Sequence, residues 1–284
     1  MSSYEVPDPI LNVAFEEPKE HWYIRPDKAP QRRVGRRPSV VYPPREGKVQ
    51  WNLGGVLTLS KDYDPGYEMA LVNHIREHVK DWRGQGYPGV SRTTLELLQY
   101  WQREGRKTRL FFAQMEAAEV VIFLTEARAD LLQGLAVPLD EPSEDQTAQG
   151  AKAFLRYACK MATGAGKTTV MGMLAAWSIL NKVGNRGDAR FSDVVLVVCP
   201  NVTIRNRLSE LDPNTGEASL YRTRDLVPQH LMSQMTQGKV VITNWHIFEP
   251  QIMQTGGVSA RVSKVGVEQR TVETITIGGG RKGL

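Results

Sequence analysis

Met161–Thr169 reads MATGAGKTT, and it stands between two segments of different rhythm. FLRYACKM (154–161) has the composition of a strand, and the run from Lys167 to about Lys182 has the spacing of a helix. A glycine-rich turn from strand to helix is where a phosphate loop must sit. Gly164 and Gly166 let the backbone take positive φ and turn N–H groups toward phosphate oxygens. The helix N-terminus adds partial positive charge at the same place. Lys167 supplies a cation for the β- and γ-phosphates of ATP, and Thr168 offers a hydroxyl to Mg²⁺. Thr163, Ala165 and Thr169 complete the candidate nucleotide-binding segment. The competing reading, a chance glycine-rich turn, explains neither the GKT triplet nor its flanks.

Downstream, VGNRGD makes a loop and DVVLVVCP (193–200) is a buried-type, β-branched strand. A helix is expected after Asn201, another near Arg224–Met235, and KVVITN (239–244) is a third strand. Strands and helices alternating at this spacing predict α/β architecture with a parallel sheet. TVETITI (271–277) is one more alternating strand candidate. Ligands of parallel sheets bind at the carboxyl edge of the strands. Pro200, Asn201, Thr203, Arg205 and Arg207 fall on that edge after the second strand, and Thr243 and Asn244 after the third. Small polar groups and guanidinium groups there suit phosphates along a nucleic acid. Trp245 either stacks a base or packs in the core.

Upstream, residues 1–60 are proline-rich and irregular, with a short strand candidate at Val56–Leu59. Helical spacing runs from Tyr67 to Trp82, Ser91 is placed to cap a second helix through Trp101, and a third runs from Phe112 to about Leu132. LDEPSEDQTAQG (139–150) is a polar, acidic surface loop. In LFFAQMEA (110–117), Gln114 stands beside Phe111 and Phe112. An amide can serve adenine's N6 donor and N7 acceptor together, although most glutamines on helices are simply exposed. His74-Ile75-Arg76-Glu77-His78 fits H-x-x-E-H, an inverted zinc-protease pattern. The charge on that helix favours an exposed amphipathic face over a metal site.

The chain has 284 residues, 41% apolar and 24% charged, which excludes a wholly disordered polymer. No apolar run is long enough for a membrane span, and MSSYEVPDPI is too polar for a secretory signal. Two cysteines forty positions apart, Cys159 and Cys199, make neither a metal knuckle nor a disulfide framework. A cytoplasmic protein is expected. Between Lys19 and Lys48 stand nine basic and three acidic residues, so this stretch alone holds more than the whole net charge of +5. Its centre, RRVGRRP (32–38), is set among prolines at 26, 30, 38, 43 and 44, which exclude a regular helix or a central strand. It reads as an extended arm whose Arg32, Arg33, Arg36 and Arg37 either follow a DNA backbone or line a solvated linker around the chain's own domain.

Together these pieces resemble the N-terminal part of a superfamily 2 DEAD/DEAH-type helicase, above all the Res subunit of type III restriction endonucleases. MATGAGKT resembles that family's motif I; Met161 stands where the general phosphate loop has its first glycine, a departure that suits helicase-type loops. VLVVCPNVTIRNRL resembles motif Ia, VVITNWHIF the next nucleic-acid-contacting motif, and LFFAQMEAAEVVIFLTEAR the segment whose glutamine contacts adenine. The resemblance runs from about Tyr67 to Pro250. It implies a RecA-like P-loop NTPase fold coupling ATP hydrolysis to translocation on DNA, with a modification (methyltransferase) subunit as a possible partner. By position it assigns Lys167 and Thr168 to nucleotide and Mg²⁺, Gln114 to adenine, and Pro200, Asn201, Thr203, Thr243 and Asn244 to the DNA track.

The resulting organisation is a basic arm (1–60), a helical accessory region (61–105) and an incomplete N-terminal RecA-like ATPase domain (106–284). Such motors need an Asp-Glu pair after the next apolar strand to hold Mg²⁺ and activate water. No Asp follows Asp225, and the later acids are Glu249, Glu268 and Glu273. The reading therefore expects a truncated or split product, inactive alone, with no catalytic residue of its own. Two rivals stay open. A complete small P-loop enzyme, such as a nucleotide kinase, needs an acidic site that these residues do not offer. A non-catalytic DNA- or partner-binding protein with a vestigial phosphate loop fits the missing acids.

Overall fold

Two polar side chains start helices where the sequence places them. Ser91 accepts the Thr94 N–H and opens the helix Arg92–Gln102; Asn201 accepts the Ile204 N–H and opens Val202–Arg207. The computed structural model describes residues 6, 8–25, 28–41 and 66–248, and the backbone alone of 251–254, 269–272, 276–277 and 280–281. The expected strand at Val56–Leu59 lies outside the described residues.

In chain order, an antiparallel hairpin comes first: β1 (Glu20–Arg25) and β2 (Lys28–Val34), pairing Trp22 with Arg32. Short β3 (Val40–Val41) and β4 (Tyr67–Glu68) pair antiparallel. Helices α1 (Ala70–Gly84), α2 (Arg92–Gln102) and α3 (Phe112–Glu126) follow, then the short surface helix α4 (Glu144–Ala148). Helix α5 (Lys167–Gly184) leads to β5 (Val194–Cys199), α6 (Val202–Arg207), the single turns α7 (Leu220–Thr223) and α8 (Met232–Met235), and β6 (Lys239–Asn244). Strand pieces β7 (Gln251–Gln254) and β8 (Gln269–Val272) pair with each other, as do β9 (Thr276–Ile277) and β10 (Gly280–Arg281).

Helix α5 is the centre of the packing. Met173, Ala176, Ile179 and Leu180 are buried along it against α2, α3, α7 and α8. Trp82, Leu97, Leu98, Trp101, Ile122 and Phe123, from α1, α2 and α3, belong to the same continuous core. Inside it run two buried carboxylate junctions. Glu119 accepts from Arg83 and from the Tyr87 hydroxyl at 2.6 Å, tying α3 to α1. Glu126 accepts the Ser91 N–H at 2.8 Å, the Thr94 hydroxyl at 2.6 Å and the Trp177 indole N–H at 2.6 Å, tying α3 to α2 and α5. A buried charge is tolerated only when its lone pairs are taken up in this way.

The chain is thus mixed α/β with a short parallel sheet. Strands β5 and β6 are parallel and flush, with Val198 opposite Thr243 and Cys199 opposite Asn244. One face of β5 packs inward through Val197 and Cys199; Val194, Leu196 and Val198, on the other face, are about half exposed. Among the described residues no helix is long and apolar enough to cross a membrane.

Four expectations are corrected. Residues 154–161 form no strand: they make one isolated bridge, Phe154 with Asp140, and among the described residues no strand pairs with them, so Phe154 and Leu155 remain exposed. The described parallel sheet consequently has two strands, not three. The helix expected near Arg224–Met235 is broken, because Asp225 sits at φ 54° and Pro228 is extended, which leaves a 3-10 turn at Gln229–Leu231 and then α8. Helix α3 stops at Glu126, where Ala127 turns extended, rather than reaching Leu132. The helix expected from Tyr67 opens at Ala70 instead, because Tyr67 and Glu68 pair with Val41 and Val40 as β4; of the strand expected at 271–277, residues 271–272 and 276–277 are strand and 273–275 lie outside the described residues.

Candidate functional site

The loop between the exposed segment and α5 takes the conformation its glycines permit. Gly164 has φ +81° and Gly166 φ +80°, both in the left-handed region, and Gly166 is the residue preceding α5. A methyl group on Gly166 would lie 2.0 Å from Gln114 Nε2, so the close approach itself demands glycine. Thr163, Gly164 and Lys167 are exposed, Ala165, Gly166 and Thr168 half-buried, and Thr169 buried within the first turn of α5. Lys167 folds its ammonium back onto the loop, donating to the carbonyls of Met161 at 3.2 Å and Ala162 at 3.0 Å. A phosphate in the loop would compete with those carbonyls for the same cation.

Gln114 is buried at 6% exposure, and both ends of its amide are used. Its oxygen accepts the Phe111 N–H at 2.9 Å and caps α3; its nitrogen donates to the Ala165 carbonyl at 3.1 Å. One side chain therefore joins the start of α3 to the phosphate loop. The two partners also fix which end is oxygen. Phe111 and Phe112 are half-buried beside it. Sequence reasoning missed what covers them. Phe15 lies 5.5 Å from the Phe111 ring, the Arg109 guanidinium lies 4.7 Å above Phe15, and Ala14 accepts the Phe112 N–H at 2.9 Å. Nothing in the sequence pairs residues almost a hundred positions apart.

No family model matches the chain, and no curated protein or solved structure does either.

The second group of expected residues meets at the carboxyl ends of β5 and β6. Pro200 and Asn201 leave β5 where Thr243 and Asn244 close β6, and Cys199 Sγ donates to the Thr243 carbonyl at 3.1 Å. Thr203 and Arg205 stand exposed on α6, and Asn201 spends its side chain as the cap. Trp245 is 44% exposed and leans on His246, with ring centroids 4.0 Å apart, so it is not a core residue.

The third group, the arm, is a hairpin rather than a free strand. Arg32 is ion-paired with Glu20, Arg33 lies 3.6 Å over the Tyr23 ring, and Arg36 grips both oxygens of Glu116 on α3. Arg37 is exposed. Arg36 also lies 5.5 Å from the centre of the Phe112 ring, so the arm docks two residues from Gln114. In the H-x-x-E-H segment, His74 and His78 bring their Nε2 atoms within 3.0 Å, and His78 Nδ1 meets the Leu131 carbonyl at 3.0 Å. No cluster of three or more metal-ligating side chains occurs among the described residues.

Proposed function

We propose that this chain binds ATP with Mg²⁺ and contacts DNA, as part of a restriction-enzyme-type helicase or translocase with a RecA-like ATPase domain. The observation that carries the reading is the loop 163–168. It has two left-handed glycines, a lysine and a threonine at the start of an 18-residue helix, with Gln114 bonded to its carbonyl. In this reading Gly164 and Gly166 turn backbone N–H groups to the phosphates, and the Ala165 N–H, bonded to the Ala162 carbonyl, and Lys167 exchange their carbonyl partners for phosphate oxygens. Thr168 holds the Mg²⁺ that shields charge on the phosphates, and Gln114 reports the state of the loop to α3. The sheet edge at Pro200, Asn201, Thr203, Arg205, Thr243 and Asn244 takes the DNA backbone, and the modification subunit is the partner of the whole enzyme.

Hydrolysis is not expected of these 284 residues, because no Asp follows Asp225 to complete a metal-holding pair. The test is equilibrium binding of a fluorescent ATP analogue with Mg²⁺, alongside steady-state turnover. Charge-assisted hydrogen bonds to the phosphates make Lys167→Ala bind about tenfold more weakly or worse. Equal binding by the two proteins refutes the loop assignment. Turnover that disappears in Lys167→Ala refutes the expectation of an inactive chain.

A further inference from the structure

One cleft lies away from the phosphate loop. It opens between the end of the hairpin and α1, has a volume of about 650 Å³, and runs into a second cavity of about 430 Å³ that shares Arg36, Arg37 and Arg76. Five cations line the larger cavity: Lys19, Arg36, Arg37, Arg76 and Lys80. Three acids line it too. Glu17 is taken by Lys80 at 3.1 Å, Glu68 accepts the Asn73 amide at 2.8 Å, and Glu77 is exposed.

Arg76 is the unusual group. It is half-buried, yet among the described residues it forms no ion pair, and its one hydrogen bond is a long one to Asn73 Oδ1 at 3.4 Å. A guanidinium has five donors, so most of its fork is unspent. Its positive charge is disfavoured by burial first and by the neighbouring Arg36 second, with partial relief from Glu116. Two guanidinium groups side by side, with one carboxylate already gripped by Arg36, leave positive charge uncompensated in a recess. That arrangement is stabilised by an incoming anion, and a phosphate oxygen matches the fork.

We propose that this cleft seats backbone phosphates of a nucleic acid, with Arg76 as the central contact and Lys19, Arg36, Arg37 and Lys80 around it. The extent of the basic surface favours a polymer over a single ion. Two joined cavities share the arginines, and Arg32 and Arg33 continue along the exposed hairpin. The inference rests on the DNA-contacting half of the function proposed above and is independent of the nucleotide half. It adds to the surface α1, a helix the sequence marked for its spacing and its H-x-x-E-H pattern.

The experiment is fluorescence anisotropy of the full chain with a labelled 20-mer, single-stranded and duplex, at several salt concentrations and without nucleotide. Arg76→Ala should weaken binding at least several-fold and lower the salt slope by about one phosphate's worth, roughly 0.7 to 0.9 in log–log terms. Arg76→Lys should keep most of the slope, because it keeps the charge; loss of a merely structural contact would not be rescued in this way. Lys19→Ala, at an exposed position where the ammonium pairs with Glu16 at 3.2 Å, should move the slope in the same direction. Circular dichroism checks the fold of each variant. Unlabelled inorganic phosphate is the competitor: displacement of DNA only at concentrations that act through ionic strength supports a polymer site. Saturable ³¹P line broadening that is lost in Arg76→Ala, with no DNA binding, overturns the proposal in favour of a free-phosphate site. DNA binding unaltered in both strength and slope by Arg76→Ala and Lys19→Ala also overturns it, and leaves the sheet-edge contacts of the proposed function standing.

Discussion

Replacing Gly166 by alanine tests the junction between the phosphate loop and α3. Two separate penalties apply. An L-residue held at φ +80° in the left-handed region costs about 1–2 kcal/mol. The new methyl would also sit 2.0 Å from Gln114 Nε2, so the amide must leave. It then gives up the 3.1 Å bond to the Ala165 carbonyl and the 2.9 Å bond from the Phe111 N–H. Each such bond is worth about 1 kcal/mol net, which brings the total to about 3 kcal/mol. Urea unfolding followed by circular dichroism should show the midpoint lowered by about 1 M, given typical urea dependences for a chain of this kind. The partner variant separates the terms. Gln114→Ala alone loses the two bonds, and once they are gone Gly166→Ala adds only the backbone penalty. The double variant should therefore be about 2 kcal/mol more stable than the sum of the singles. Strict additivity, or a Gly166→Ala protein as stable as the parent, would refute the claim that the loop and α3 are locked through one amide.

Two further expectations concern the core. Glu126→Ala takes the acceptor from two buried donors, the Thr94 hydroxyl and the Trp177 indole, and from the half-buried Ser91 N–H, and should lower stability by about 3 kcal/mol; an unchanged melting temperature contradicts the junction. Tyr87 and Tyr221 are both held above the ordinary phenol range, Tyr87 by burial and then Glu119, Tyr221 by burial and then Asp212. Their folded forms stay neutral while the unfolded chain ionises near pH 10, so stability is intact below that pH and declines above it, by up to about 1.4 kcal/mol per pH unit for each tyrosine. Urea midpoints between pH 8 and 11 should fall less steeply in Tyr87→Phe; an identical slope removes Tyr87 from the account.

What the sequence made legible was local chemistry. Ser91 and Asn201 as caps, the glycines of the loop, and the β-branched runs of β5 and β6 each carry their conformation in their own side chains. What stayed hidden depended on partners. Residues 154–161 have strand composition but, among the described residues, no strand to pair with, and composition does not reveal that. The prolines of the arm excluded a helix and a central strand correctly, yet a two-stranded hairpin has only edges and tolerates them. Helix α3 ends early at Glu126, where the carboxylate is occupied by donors from α2 and α5. Among the site residues, Gln114 stood out by its aromatic neighbours, whereas Phe15, Arg109, Glu116 and Arg76 gave no signal, because their meaning comes from segments that meet only in the folded chain.

The parallel pairing of β5 with β6 has a consequence for how the chain assembles. Parallel strands cannot be joined by a tight turn, and here roughly forty residues intervene between Cys199 and Lys239. Closing a loop of that length costs entropy before any ladder bond is gained, so the ladder is late to form, after α5, α7 and α8 have gathered around their shared core. Until then VVLVVC is an uncharged, β-branched hexamer with neither edge satisfied. Pairing with β6 satisfies one edge of β5; its other edge, and the face that carries Val194, Leu196 and Val198, remain open among the described residues of the finished molecule.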